Sequence, residues 1–249
     1  RGMLTLVAEA DAGVAPGQAF LPMHWGSRYL SGAGANTLTL PVIDPRSFQP
    51  ELKHSAIRID KAVLPWRLMA VGTPGDGNAL ALLSRVQTLI SEFEFASCTL
   101  TPDANGVLLR AASAKPPCAE TLEKIHALFE LDGASVLRYA DPRRGVTRAV
   151  RLDDGHVAGA YLSGDAIGEI WLREFHAQGI SVAALGSRLL APTAIAPAAL
   201  TARGRIVCSC HGVGETTILT ALQAADGDAG SKLATVQQQL RCGTQCGSC

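Results

Sequence analysis

Net charge is the first thing this chain lacks: 22 basic residues stand against 22 acidic ones. That balance leaves no global basic field of the kind nucleic-acid binding requires. No apolar run approaches the roughly 20 residues of a membrane-spanning helix. No G-x-G-x-x-G occurs, which excludes a Rossmann-type dinucleotide loop. A Walker loop, a Ser/His/Asp grouping and paired helical carboxylates are likewise absent from the first block, and no solenoid-type repeat runs through the chain. No residue is assigned a catalytic role. The start, Arg1-Gly2-Met3-Leu4-Thr5-Leu6-Val7, has neither an initiator Met nor a cationic-then-apolar leader, and the end falls on Cys249. Both ends read as cut, so the expectation is a piece of a longer protein.

What is present is apolar bulk and a crowd of thiols. Hydrophobic residues make up 47% of the 249 positions, enough to bury a sizeable core. The expected fold class is mixed: a β-barrel unit, an α+β middle domain and a small helical C-terminal domain. The first block, 1–62, is rich in strand formers and turn residues, with strands expected at Leu4–Ala8, Ala19–Met23 and Ala56–Ile59. A Gly-rich loop, Ser31-Gly32-Ala33-Gly34-Ala35-Asn36, lies between them. Residues 63–78 carry Pro65, Gly72, Pro74, Gly75 and Gly77 and read as a linker.

The second block, 79–200, mixes helix and strand. Ala79–Phe93 places Leu80, Leu83, Val86 and Ile90 on one helical face. Phe95–Leu100 and Val107–Ala111 form a hairpin pattern, and Ala119–Phe129 is a second helix with Leu122, Ile125 and Phe129 as its stripe. Ser135–Tyr139, Thr147–Leu152 and Val157–Leu162 are short strands, and Ile167–Ala177 is a third helix. In the third block, 205–249, helices are expected over Gly214–Ala224, with Ile218, Leu219 and Leu222 inward, and over Lys232–Leu240.

Five of the seven cysteines crowd into this last block: Cys208, Cys210, Cys242, Cys246 and Cys249. An odd count and that crowding fit a metal site in a reduced compartment better than a disulfide framework. Thiolates held by short glycine-flanked loops suit iron–sulfur clusters. The C-x-C pair Cys208/Cys210 is atypical of zinc, which favours C-x₂₋₄-C, and a disulfide within C-x-C would be strained. A structural zinc site remains the alternative. Cys242 is a fifth thiol, either a free neighbour or a ligand in place of Cys246; spacing leaves both open. His211 is given no ligand role, and Cys98 and Cys118 read as buried or incidental.

The run Val207-Cys208-Ser209-Cys210-His211-Gly212-Val213 and the ending Gln245-Cys246-Gly247-Ser248-Cys249 resemble the bacterioferritin-associated-ferredoxin-like [2Fe-2S] domain. The resemblance implies Cys208, Cys210, Cys246 and Cys249 as ligands. Further upstream, three runs look like the C-terminal dinucleotide-binding domain of molybdopterin oxidoreductases: Ala19-Phe20-Leu21-Pro22-Met23-His24-Trp25, Ala35-Asn36-Thr37-Leu38-Thr39, and Asp44-Pro45-Arg46-Ser47-Phe48-Gln49-Pro50-Glu51-Leu52-Lys53. The combination is similar to the cytoplasmic, assimilatory nitrate reductases of bacteria.

That resemblance implies a double-psi barrel in 1–62, a bis(molybdopterin guanine dinucleotide) molybdenum cofactor, and a [4Fe-4S] centre in a part of the protein not contained here. Asn36 and Lys53 match the family's cofactor-contacting positions, with Arg1, His24 and Trp25 as further cofactor-facing residues. An amide suits a pterin edge, and an ammonium suits pyrophosphate charge. The implied partners are an electron-donor protein, a flavoprotein subunit or ferredoxin, and nitrate at an active site upstream; no nucleic acid or membrane is implied. Two other readings stand beside it: a non-catalytic iron–sulfur electron-transfer module, and another molybdopterin oxidoreductase.

Overall fold

The computed structural model describes residues 2–22, 25–50, 54–198, 204–208, 211–245, 247 and 249. Its centre is a six-stranded antiparallel sheet in the order β2-β3-β1-β6-β5-β4. The strands are β1 (Trp66–Gly72), β2 (Phe95–Leu100), β3 (Val107–Ser113), β4 (Val136–Asp141), β5 (Val146–Asp153) and β6 (His156–Gly164). The helices of this part are α1 (Ala79–Gln87), α2 (Ala119–Leu128) and α3 (Glu169–Gln178). They cover both faces of the sheet, which makes three layers.

β1 shows why. It pairs with β3 on one side and β6 on the other, so its backbone polar groups are satisfied in both directions. Successive side chains point to opposite faces. Leu68 and Ala70 enter one core with Leu82, Leu83 and Val86 of α1 and Ile125 of α2. Met69 and Val71 enter the other, with Trp171, Leu172 and Phe175 of α3 and Leu189 of the 3-10 segment Ala183–Leu190. A strand covered on both faces reads as a continuous apolar run rather than an alternating one.

The reading of 63–78 as a linker is therefore corrected: its first half supplies the middle strand of the sheet. Pro65 and Gly72 bracket that strand and do not interrupt it. The loop character survives in 63–65 and in Thr73–Asn78, where the Asn78 side chain caps α1 by accepting from the Ala81 N–H at 3.0 Å.

Two further corrections concern helix faces. α1 ends at Gln87 and gives way to a 3-10 turn at Ile90–Glu92. Its buried stripe is Leu82, Leu83 and Val86, while Leu80 is 66% exposed. The Asn78 cap sets the rotation of the helix, and Leu80 falls on the outer side. In α4 (Glu215–Ala224), Ile218 and Leu222 pack inward, but Leu219 is half exposed. The hairpin β2–β3, the strands β4 to β6 and the helices α2 and α3 lie where the sequence placed them, within two residues at nearly every end.

One buried cation sits within the second core side. The Arg148 side chain on β5 is fully buried and pairs with Asp165, also donating to the Ile167 carbonyl at 2.8 Å. This ties β5 to the turn that launches α3. Arg110 of β3 meets Glu169, the first residue of α3, at 2.6 Å.

The first block forms no strand ladder among the described residues. It has a 3-10 turn at Ala35–Leu38 and the isolated bridges Leu30 to Ser97 and Ile43 to Pro50. The strands expected at Leu4–Ala8 and Ala56–Ile59, and in the described part of Ala19–Met23, are not present, and no barrel is seen among the described residues. Strand-forming residues become a sheet only where a second strand accepts their hydrogen bonds, and these find none among the described residues. The block is nonetheless attached. Leu30 is buried against the sheet, the Ser31 N–H donates to the Ala96 carbonyl at 2.8 Å, and the Cys98 N–H donates to the Tyr29 carbonyl at 2.9 Å. Residues 29–31 thus cover the outer edge of β2, an edge otherwise open to aberrant pairing.

The last block is two helices, α4 and α5 (Ala229–Leu240), with a short ribbon of β7 (Ile206–Cys208) and β8 (Val213–Gly214) before them. Among the described residues no helix is long and apolar enough to cross a membrane.

Leu83→Ala is expected to cost about 2–5 kcal/mol of stability by opening the core under α1. Leu80→Ala should stay within about 0.5 kcal/mol. Urea unfolding of both variants checks the corrected helix face.

Candidate functional site

Two groups of expected residues need to be placed. The first belongs to the N-terminal block. Arg1, His24 and Lys53 lie outside the described residues, while Trp25 and Asn36 lie within them. The chain brings the neighbourhoods of these residues to one spot, the turn at 34–39. The Ala35 N–H donates to the Trp25 carbonyl at 2.8 Å, and the Gly2 N–H donates to the Thr37 carbonyl at 3.0 Å. The Ser55 hydroxyl donates to the Leu38 carbonyl at 2.7 Å. Segments next to Arg1, His24, Asn36 and Lys53 therefore converge, although they are separated by up to half a hundred positions in sequence. The Asn36 side chain is exposed and Trp25 is half-buried.

The convergence depends on close backbone approach. Gly34 has φ 81 and ψ 175, a combination essentially restricted to glycine. A Cβ there would stand 2.9 Å from the Gly26 Cα. A Cβ on Gly2 would lie 2.5 Å from the Thr37 Cβ. The strand reading of the surrounding residues missed this arrangement; the Gly-rich composition of 31–36 was its visible signal.

The second group is the thiols. Cys210 and Cys246 lie outside the described residues; Cys208, Cys242 and Cys249 are within them. Cys208 ends β7, and its side chain is packed with Cys242 and Val236 in a small core that also takes in Val213, Ile218, Leu222 and Leu240. Cys208 contacts both Cys249 and Cys242 through hydrogen-bonding thiols. Two expected ligands of the opposite ends of the block, Cys208 and Cys249, are thus brought together, and the unassigned Cys242 joins them.

The electrostatics follow from that packing. Burial works to raise the Cys208 pKa, but the backbone N–H groups of Gly243 and His211 and the thiols of Cys249 and Cys242 outweigh it, and the net shift is downward. Burial and the neighbouring Cys208 charge push Cys242 up to about 11. Cys249 is raised mainly by its hydrogen bond to Cys208, then by burial.

The Gly243 N–H serves both Cys208 and Cys249. Backbone amides aimed at cysteine sulfur are the environment an anionic iron–sulfur core needs. The donor set is all thiolate, which suits iron–sulfur or zinc and not a hard cation. The Nε2 atom of His211 is buried with no hydrogen-bond partner among the described residues. On these observations the residues fit a thiolate-held metal group. Among the described residues, no three His, Cys, Asp or Glu side chains already stand in ligating geometry. The three thiols touch in a chain, Cys242 to Cys208 to Cys249.

The two cysteines outside this group behave differently from each other. Cys98 lies inside the sheet core, and burial pushes it up to about 11. Cys118 is exposed just before α2, and its pKa is lowered by hydrogen bonds from the Thr121 side chain, 3.2 Å away, and the Thr121 backbone. Between α2 and strands β5 and β6 lies a cleft of about 300 Å³ lined by Leu122, His126, Thr147 and Tyr161 among others. No residue expected from the sequence to bind a cofactor lines it.

Comparison with known proteins adds the following. Residues 1–56 match the molydopterin dinucleotide binding domain. A protein of Klebsiella oxytoca named nitrate reductase is 33% identical over 67 residues, covering 27% of this chain and 8% of the relative. A protein of Synechocystis sp., also named nitrate reductase, is 42% identical over 59 residues, covering 24% of this chain and 8% of the relative. The chain thus spans under a tenth of the length of the curated relatives it matches. No solved structure matches.

Two outcomes are expected from the geometry. Gly34→Ala should cost about 1–3 kcal/mol locally, because alanine resists that backbone conformation. Faster tryptic cleavage at Arg28 with an unchanged core would show it. Near neutral pH, Cys118 should be alkylated well before Cys98, since the thiolate is the reactive form; mass mapping of the modified chain reads the order.

Proposed function

We propose that this chain is the C-terminal part of a molybdenum-dependent nitrate reductase. Its first block covers the dinucleotide arms of a molybdopterin guanine dinucleotide cofactor, and its last block relays electrons through a [2Fe-2S] cluster. The observation that carries the reading is the match of residues 1–56 to the molydopterin dinucleotide binding domain, with two relatives over the same order of length that are named nitrate reductase. The convergence of the Gly2, Trp25, Asn36 and Ser55 segments supports it, because it gathers the surroundings of Asn36 and Lys53, the two residues matched to cofactor contacts, and of Arg1, His24 and Trp25.

In this reading the exposed Asn36 amide offers a donor and an acceptor to a pterin edge. Lys53 offsets pyrophosphate charge, Arg1 and His24 add polar contacts, and Trp25 supplies an aromatic wall. At the other end, Cys208, Cys210, Cys246 and Cys249 hold the [2Fe-2S] cluster, and the Gly243 and His211 amides stabilise its negative charge. When bound, the molybdenum cofactor supplies two-electron oxygen-atom transfer: nitrate, two electrons and two protons give nitrite and water. The electrons come from a flavoprotein subunit or a ferredoxin and pass through a [4Fe-4S] centre upstream. The setting is cytoplasmic nitrate assimilation.

A broader second reading, another molybdopterin oxidoreductase, rests on the same domain match, since 1–56 speak to the cofactor and not to the oxyanion.

The purified chain, kept anaerobic, is expected to carry iron and acid-labile sulfide in equal amounts and to absorb in the visible. Colourless protein with bound zinc would remove the relay from the proposal. The chain alone should not reduce nitrate with an artificial donor, and measurable turnover would overturn its assignment as the non-catalytic end.

A further inference from the structure

Four ligand positions and five thiols leave one sulfur over. The family resemblance leaves out Cys242, yet Cys242 is buried in the same small core as Cys208. It follows directly on α5, whose last turn is closed by Arg241 at φ 58 with its N–H donating to the Gln237 carbonyl at 3.0 Å. The Thr244 N–H then donates back to the Arg241 carbonyl at 3.3 Å. These two bonds pin the residue on either side. The side chain is 8% exposed and packs in one core with Cys208, which is 2% exposed. Cys249 also contacts Cys208, but it is exposed and follows Gly247 at φ 71.

A sulfur buried and preplaced against an expected ligand is poised to bind the same metal. We propose that Cys242 is a reserve ligand of the thiolate site, taking the position beside Cys208 when Cys249 leaves it. This rests on the [2Fe-2S] reading above.

The exchange is a ligand substitution with no change of oxidation state. The iron–sulfur bond to Cys249 breaks and one to Cys242 forms; the Cys242 thiol gives its proton to water, and the released Cys249 thiolate takes one up. It requires little motion of Cys242, because its partner Cys208 is already in contact. The device would keep a cluster in place when the exposed Cys249 is oxidised or alkylated, since exposure favours the loss of a thiol.

The test uses the 249-residue chain, reconstituted anaerobically with ferrous iron and sulfide. Cys249→Ala is expected to keep a full cluster per chain, with an altered visible circular-dichroism spectrum that marks the new ligand. Cys242→Ala in the Cys249→Ala background should lower cluster retention by about tenfold or more. Cys242→Val in that background fills the buried space without offering a donor, so equal loss with Ala and Val reports on the sulfur and not on packing. The proposal is overturned if Cys249→Ala holds no cluster while the wild-type chain does, or if either double variant holds as much as Cys249→Ala. Failure of the wild-type chain itself to take up a cluster would instead overturn the [2Fe-2S] reading on which the proposal stands.

Discussion

The hydrogen bonding of one strand on both of its edges, together with burial of both of its faces, is the constraint from which the rest of the structure extends. Trp66–Gly72 joins two hairpin-bearing halves, β2–β3 on one side and β4–β5–β6 on the other. Its alternate side chains seed two separate cores, one under α1 and α2 and one under α3. Remove that strand and both ladders lose a partner, while the helices lose the surface they cover. The edge of the same sheet holds the N-terminal block through Tyr29, Leu30 and Ser31. The packing centre is therefore a set of clusters separate from the small thiol core, and its role is to hold a platform.

The two candidate regions are built on different physics. The N-terminal one is an assembly of backbone contacts, in which carbonyls of Trp25, Thr37 and Leu38 accept from chain segments far away in sequence. It works because Gly2 and Gly34 remove side chains from places where backbones must meet. What it presents outward is the exposed Asn36. The C-terminal region is a packing site, where α4 and α5 bury Cys208 and Cys242 with a few aliphatic side chains. There the amides of His211 and Gly243 set the sulfur environment. A surface that collects polar groups suits the arms of a large anionic cofactor, and a small apolar core with inward amides suits an inorganic cluster.

Local patterns were legible where periodicity and turn chemistry agreed. The hairpin from Phe95 to Ser113 was announced by Pro102-Asp103-Ala104-Asn105-Gly106, and α2 and α3 by their apolar spacing. The strand at Trp66–Gly72 was hidden, because a doubly covered strand has no alternation and its flanking Pro and Gly mimic a linker. The face of α1 was misjudged at Leu80 because the Asn78 cap, and not the apolar count, sets where the helix begins. Strand propensity in 1–62 was also misleading, since propensity describes a residue's fit to a sheet and cannot supply the neighbouring strand.

What the amino-acid order determined alone was chemistry: five thiols in one short block, glycines beside them, and three runs resembling a molybdopterin-binding domain, a likeness that the match over 1–56 shares. Residue identity carries such information because ligand atoms and backbone freedom belong to single residues and need no fold to be recognised. Only the tertiary structure decided which of those residues meet. It put Cys242 against Cys208, drew Gly2, Trp25 and Ser55 to the turn around Asn36, and made a loop-like stretch the middle of a sheet. Those outcomes depend on burial and on hydrogen-bond partners far apart along the chain, and neither is a property of any local window.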